Sequence, residues 1–412
     1  MTAFINLSLT YFIISFKCAF DNEFLRILPR FLPIVDKRYR TCYNEIMNQE
    51  TEILLNALKA VLHGESPDAE NLPRAAGLAK KHSVLNILAP TLLKSANENL
   101  RDRVMAFYAE YLSQQESLKS AAEELFGELE KRNIPYMPLK GYYLKQLYPD
   151  PLMRSSCDLD VLFKEERTKE VKALMTDLGY KLFIANDHHM CHTRENVTVE
   201  MHYILSETPL PDYYDGVFSR LTHAEGSLYH FSDEDFYIFL LVHMWHHFKA
   251  GGTGIRSVMD IYVYRTQKPA LDEEYLQREL KKLQLVLFEE KLKKLAFFWF
   301  GDGDGEGTDE LAEFILKSGV YGTTQHAAAA GTAKMGKTKY FFSRVFPPAK
   351  DMKKAYPVLE KCILLLPFCY IARIFTALFK RPERLKSNAG ALLGADGEKV
   401  AKMKDLFDDL GI

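Results

Sequence analysis

The sequence predicts an α+β protein, with a small mixed β-sheet set between N- and C-terminal helical subdomains. Three observations carry this. Residues 50–131 place their apolar side chains at helical spacing. Residues 134–203 switch to a period of two around glycine and proline breaks. Most of the chain beyond residue 205 returns to helical spacing.

Residues 1–46 are expected to be a poorly ordered extension. Phe4 to Phe16 is apolar but shorter than the ~20 residues a membrane helix needs. No basic segment precedes it and no clear cleavage site comes after it. Arg26 to Arg40 is basic, with two prolines and no clean period, and the native start is expected near Met47. Residues 47–131 form the N-terminal helical subdomain. Leu54, Leu58, Val61 and Leu62 share one helical face. Gly64, Pro67 and Pro73 punctuate, and Asn99 to Lys131 reads as one or two long amphipathic helices.

The core is expected over residues 132–205. Ile134 to Phe163 reads as strand, glycine turn, helix, loop and second strand. In that second strand Asp158 and Asp160 fall on one face, with Leu159, Val161 and Phe163 on the other. Adjacent carboxylates repel, which suits a solvated edge or a divalent cation between them. Upstream, Lys140 and Gly141 lead into a helix start, a natural seat for phosphate. Asn196 to Tyr203 alternates again and puts Thr198, Glu200 and His202 on one face. Glu200 stands among apolar neighbours, a cost that is offset if it meets the aspartates at a metal. Phosphate seat and metal-binding acids together are the minimum apparatus of phosphoryl or nucleotidyl transfer.

The run Leu139-Lys140-Gly141-x-x-Leu144-x-x-Leu147-Tyr148-Pro149-x-Pro151-x-x-Arg154-x-x-x-Asp158-Leu159-Asp160-Val161-Leu162 resembles the uncharacterised nucleotidyltransferase family of the DNA polymerase β-like superfamily. The resemblance implies a triphosphate turn at Lys140 and Gly141. It implies two divalent metals, Mg²⁺ or Mn²⁺, on Asp158 and Asp160, with Glu200 as third carboxylate, and an NTP as substrate. Where the superfamily has serine after the glycine, Tyr142 stands, so a phosphate contact is missing or supplied by Lys140 or Arg154. His202 is a further expected nucleotide contact. The resemblance also covers a histidine-rich helix followed by Arg-x-x-x-Asp: His243, His247, Arg256 and Asp260 are expected to close the cleft on nucleotide or acceptor. The alternative is a nucleotide-binding or scaffold protein with the same fold and no turnover.

Beyond the second strand, Glu165 to Leu178 reads as a helix closed by Gly179. His188, His189, Cys191 and His192 fit no zinc spacing and read as polar residues lining the cleft. Residues 206–385 form the C-terminal helical domain. It contains a helix from Ser232 to Lys249 with Ser232 as N-cap. Gly331 to Thr338 fits the P-loop pattern, but four alanines precede it instead of a β-branched strand. Asp302, Asp304, Glu306, Gly307 and Glu313 sit at EF-hand positions, yet the pattern breaks at positions 5 and 8, so a solvated loop is expected. Tyr356 to Phe379 reads as an apolar helix pair broken near Pro367 and docked on a core, with peripheral membrane contact as the other reading. Residues 386–412 are expected to be a loosely held tail.

A net charge of −2 argues against a partner held by phosphate neutralisation, such as nucleic acid. Six cysteines without a C-x-x-C pair suit a reduced, cytoplasmic setting.

Overall fold

The computed structural model describes residues 37–205, 210, 212–305, 308–320, 322–380, 382–395 and 397–412, with side chains from residue 49 onward except at 354, 380, 382 and 384. The expectations for residues 1–36, and for Glu306 and Gly307 of the acidic loop, lie outside the described residues. The chain divides into two compact units: residues 49–322 with 406–412, and residues 323–405 with the described N-terminal residues 37–48.

The first unit begins at residue 49, within helix α1 (Lys37–Leu62), and continues with α2 (Leu72–Lys81), α3 (Leu85–Ser95) and α4 (Glu98–Lys131). Helix α4 is one continuous helix of 34 residues, capped by Asn97, whose side chain accepts from the Leu100 N–H. Next in the chain are β1 (Tyr136–Pro138), the short α5 (Lys140–Leu144), β2 (Leu159–Phe163), α6 (Thr168–Asp177), β3 (Lys181–Ala185), β4 (His189–Arg194) and β5 (Val197–His202). Two strands lie beyond residue 205: β6 (Thr222–Glu225) and β7 (Leu228–His230) form a hairpin about Gly226-Ser227. It joins the sheet through β7, which runs parallel to β1. The strand order among the described residues is β3-β4-β5-β2-β1-β7-β6. The pairs β2–β5 and β1–β7 are parallel and the rest antiparallel, so the sheet is mixed.

One face of the sheet is apolar. Leu159, Val161, Phe163, Val199 and Met201 pack with Leu125 and Leu129 of α4 and with Val171 and Leu174 of α6. Burial of this face fixes the register, because a one-residue slip would turn its side chains outward. The opposite face of β2 and β5 carries Asp160, Glu200 and His202, together with Leu162 and Thr198.

Helices α7 (Asp233–Ala250), α8 (Ile255–Gln267), α9 (Glu273–Leu283), α10 (Val286–Phe300) and α11 (Asp309–Ser318) complete the unit. Ser232 caps α7 by accepting from the Asp235 N–H at 3.1 Å, as its sequence position predicts. Glu313, the last of the EF-hand-like acids, lies within α11 and is paired with Lys317.

The second unit is helical: α12 (Thr324–Met335), α13 (Lys337–Val345), α14 (Ala349–Ala355), α15 (Val358–Lys361), α16 (Leu366–Lys380) and α17 (Pro382–Leu393), with α18 starting at Gly397. Gly331 lies inside α12, so the P-loop-like run is not preceded by a strand. The break expected near Pro367 falls just before it: α15 ends at Lys361, and Pro367 stands in the first turn of α16, where its missing N–H costs nothing. Among the described residues no helix is long and apolar enough to cross a membrane.

Candidate active site

Strand pairing builds the centre of the site. In the parallel β2–β5 ladder Asp160 is the partner of Glu200, and Leu162 that of His202. Asp160, Glu200 and His202 therefore leave the sheet on one side. Their ligand atoms lie within 4.8 Å of one another, the one such group of potential metal ligands among the described residues. His202 Nε2 is 3.0 Å from Asp160 Oδ1 and 3.5 Å from Glu200 Oε2. Lys140 Nζ is 3.6 Å from Asp160 Oδ2.

These groups lie in a cleft of about 400 Å³, a size that suits a nucleotide-scale ligand. The sheet forms one wall, and His243, His247 and Arg256 of α7 and α8 lie on another. Burial would push the Asp160 carboxyl up, but Lys140 and His202 outweigh it and hold it well below the carboxylate range. His202 responds in kind. Burial favours its neutral form, yet its bonds to Asp160 and Glu200 raise its pKa.

Asp158 stands one residue before the first ladder pair of β2, so the sheet does not fix its direction. It lines the same cleft but is not part of the close group. Its residue surface is exposed, so its enclosure comes from the cleft walls. That enclosure and the charge of Asp160 push its carboxyl up to about 6. In the group that converges, His202 takes the place that periodicity assigns to Asp158.

The turn at Lys140-Gly141 differs from a simple glycine turn. Lys140 itself has a φ of +32°, a conformation costly for a residue with a Cβ. Gly141 is needed for close approach. A Cβ there would stand 2.5 Å from Ser156 Oγ and 3.0 Å from Arg154 Nη1. The segment 154–156 thus packs directly on the turn, a contact that sequence spacing does not reveal.

Arg154 is buried and gives two bonds to Asp260, Nε to Oδ1 at 2.9 Å and Nη2 to Oδ2 at 3.0 Å. Tyr148 donates to Asp260 Oδ1 at 2.8 Å. Asp260, expected to touch ligand, is therefore committed to holding Arg154. Only Arg154 Nη1 turns toward the Gly141 turn, 3.4 Å from Ser156 Oγ. Arg256 Nη1 donates to the carbonyl and hydroxyl of Ser155, and so braces the same loop.

On α7, His243 and His247 place their Nε2 atoms 3.0 Å apart, so one donates and the other accepts. Burial and Lys140 lower both, His247 to about 4 and His243 well below its usual value. The pair is neutral at pH 7. His188 and His189, from the histidine cluster, line the cleft, whereas His192 is buried.

The donor set fits a divalent cation. Two carboxylates supply the hard oxygen ligands that Mg²⁺ and Mn²⁺ take, and His202 would join them by giving up the Nε2 proton it shares with Asp160.

Residues 68–301 match the model of a family described as uncharacterised nucleotidyltransferases. The match spans the sheet and the cleft. No curated protein is matched. Two solved structures are similar over less than half of this chain. One is the solution structure of the antibiotic-resistance factor ANT(2″)-Ia, at 13% identity and TM-score 0.25, covering 45% of this chain and 92% of that one. The other is ANT(2″)-Ia in complex with adenylyl-2″-tobramycin, at 15% identity and TM-score 0.23, covering 44% and 95%. With more than half of its length matched and the turn, the acids and the histidine helix all inside the match, the chain belongs to the uncharacterised nucleotidyltransferase family.

Proposed function

We propose that the protein moves a nucleoside monophosphate from an NTP to an acceptor hydroxyl, with divalent cations held by Asp158, Asp160 and Glu200. The observation that supports this most is the in-register pair Asp160 and Glu200, facing the cleft beside Lys140 in a member of this family. The close group adds His202 to the candidate ligands. Bound Mg²⁺ or Mn²⁺ would neutralise triphosphate charge and acidify the acceptor hydroxyl.

The chain's own residues do the rest. Lys140 turns from Asp160 to the β- and γ-phosphates, and the Gly141 turn lets backbone approach them. Glu200 accepts the hydroxyl proton. His202 flanks Glu200 at 3.5 Å and steadies its charge. Arg256 and the neutral His243–His247 pair bound the far wall and orient the nucleotide. The hydroxyl oxygen forms its bond to the α-phosphorus as the α–β bridge breaks, and pyrophosphate leaves. Reduced cysteines fit action in the cytoplasm.

Labelled NTPs with Mg²⁺ or Mn²⁺ and a panel of hydroxyl acceptors test the proposal by label transfer and pyrophosphate release. Transfer retained by an Asp158→Ala, Asp160→Ala double variant would overturn it. Metal-dependent nucleotide binding with no pyrophosphate release would select the non-catalytic reading instead.

A further inference from the structure

The second unit carries a feature that nucleotidyl transfer leaves unused. In α16 and the turn before it, Leu364, Phe368, Ile371, Phe375 and Phe379 recur at intervals of three and four and fall on one stripe. All five are exposed, Leu364 by 80%, Phe368 by 68% and Phe379 by 57%. Phe375 and Phe379 stack on each other, with ring centroids 6.0 Å apart, and together extend the patch. The other side of the helix is occupied. Cys369, Leu366 and Tyr370 pack with Met352, Leu359 and Tyr356. The exposed stripe is thus a second apolar face, which a helix docked on its own core does not need.

Charge says what it faces. Residues 337–386 contain twelve Lys and Arg against three Asp and Glu, a net of +9, in a chain whose total is −2. Each of these basic side chains that the structure describes is exposed. The helix has 15 residues, about 22 Å, too short for a ~30 Å hydrocarbon core. Large aromatic and aliphatic side chains on one face, cations around them and insufficient length to span are the marks of a helix that lies in a membrane interface.

We propose that the Leu364–Phe379 face of α16 docks on an anionic lipid bilayer surface, its aromatic stripe entering the headgroup region and the surrounding Lys and Arg pairing with lipid phosphates and carboxylates.

The test is flotation of the full chain with phosphatidylcholine vesicles, with and without about one third phosphatidylserine. The expected result is co-flotation with anionic vesicles only, falling at least about tenfold as NaCl rises from about 0.1 M to about 0.5 M. Phe368→Glu with Phe375→Glu should cut partitioning by about a hundredfold or more. Lys353→Glu with Lys361→Glu, which leaves the stripe intact, should cut it by about tenfold, so the proposal stays testable if the first variant fails to fold. No flotation with anionic vesicles overturns the proposal. So does equal flotation on neutral vesicles, or unchanged flotation by both variants, which would put the contact elsewhere in the chain. Concentration-dependent dimers broken by Phe368→Glu with Phe375→Glu, without vesicle binding, would overturn it in favour of a second copy.

Discussion

Asp160 and Glu200 are direct Cα partners on adjacent parallel strands, with both side chains on the cleft side of the sheet. Neighbouring like charges cost stability unless cations offset them. Here His202 and Lys140 do so, at 3.0 and 3.6 Å from Asp160. A shared site of this kind makes a first prediction. Asp160→Asn and Glu200→Gln should each lower pyrophosphate release by about 10³-fold, and the double variant should be little worse than either. Calorimetric titration with Mn²⁺ should show the matching loss of affinity. Losses that multiply in the double variant would mean that the two carboxylates act apart.

A second prediction concerns Arg154 and Asp260. Both are buried, and Asp260 takes two bonds from the guanidinium and one from Tyr148. Asp260→Ala would leave a buried guanidinium without its counter-charge and should cost about 3–5 kcal/mol. Replacing both, Arg154→Met with Asp260→Leu, should recover much of that loss, because neither charge is then stranded. Denaturant midpoints of the three variants decide it. A double variant less stable than Asp260→Ala would show that the pair does more than cancel its own burial.

Strand periodicity made the sheet's chemistry legible, because one face must be apolar. Val197, Val199 and Met201 point to the core, and Thr198, Glu200 and His202 away from it, as a period of two requires. Asp158 was harder to place. It precedes the ladder, so periodicity did not govern it. The β6–β7 hairpin was missed, although Gly226-Ser227 between two short alternating runs is a hairpin signal; with only four and three residues its strands hardly show a period. The Arg154–Asp260 bond joins residues 106 positions apart, and no local pattern encodes such a contact. Pro367 marked the break between two helices because a proline is tolerated in a first turn and not in a helix interior.

Gly141 yields a third prediction. A methyl group at this position meets Ser156 Oγ at 2.5 Å and Arg154 Nη1 at 3.0 Å, and Arg154 cannot yield while Asp260 holds it. Gly141→Ala should push the turn away from the 154–156 loop and reduce NTP affinity by about tenfold or more. Ser156→Ala removes the nearer obstruction. The combined variant should therefore bind NTP better than Gly141→Ala alone, as fluorescent-nucleotide titration would show. No recovery would mean that Gly141 serves the ligand directly.

The last prediction is a pH dependence set outside the cleft. His82 is fully buried, and its ring joins three segments: Nδ1 accepts from the Ile255 N–H at 3.2 Å, leaving Nε2 to donate to the Leu316 carbonyl at 3.2 Å. That tautomer is neutral with both nitrogens satisfied. Burial, then the nearby Lys81 charge, lowers its pKa to about 4 from an ordinary value of 6.5. Below pH 6.5 the unfolded chain takes up a proton that the folded chain refuses, so stability falls with pH until about 4. Between pH 7.5 and pH 5 this amounts to about 2 kcal/mol. His82→Leu should be less stable at pH 7.5 by about 1–3 kcal/mol, since the Ile255 N–H and Leu316 carbonyl lose their partner. It should also lose that share of the acid sensitivity. Urea midpoints of both proteins at the two pH values measure this, and equal pH slopes would assign the acid response to other groups. Because Ile255 opens the helix that carries Arg256 and Asp260, protonation of His82 should loosen the cleft wall before the chain unfolds, seen as faster amide exchange in α8 than in α4 at pH 5.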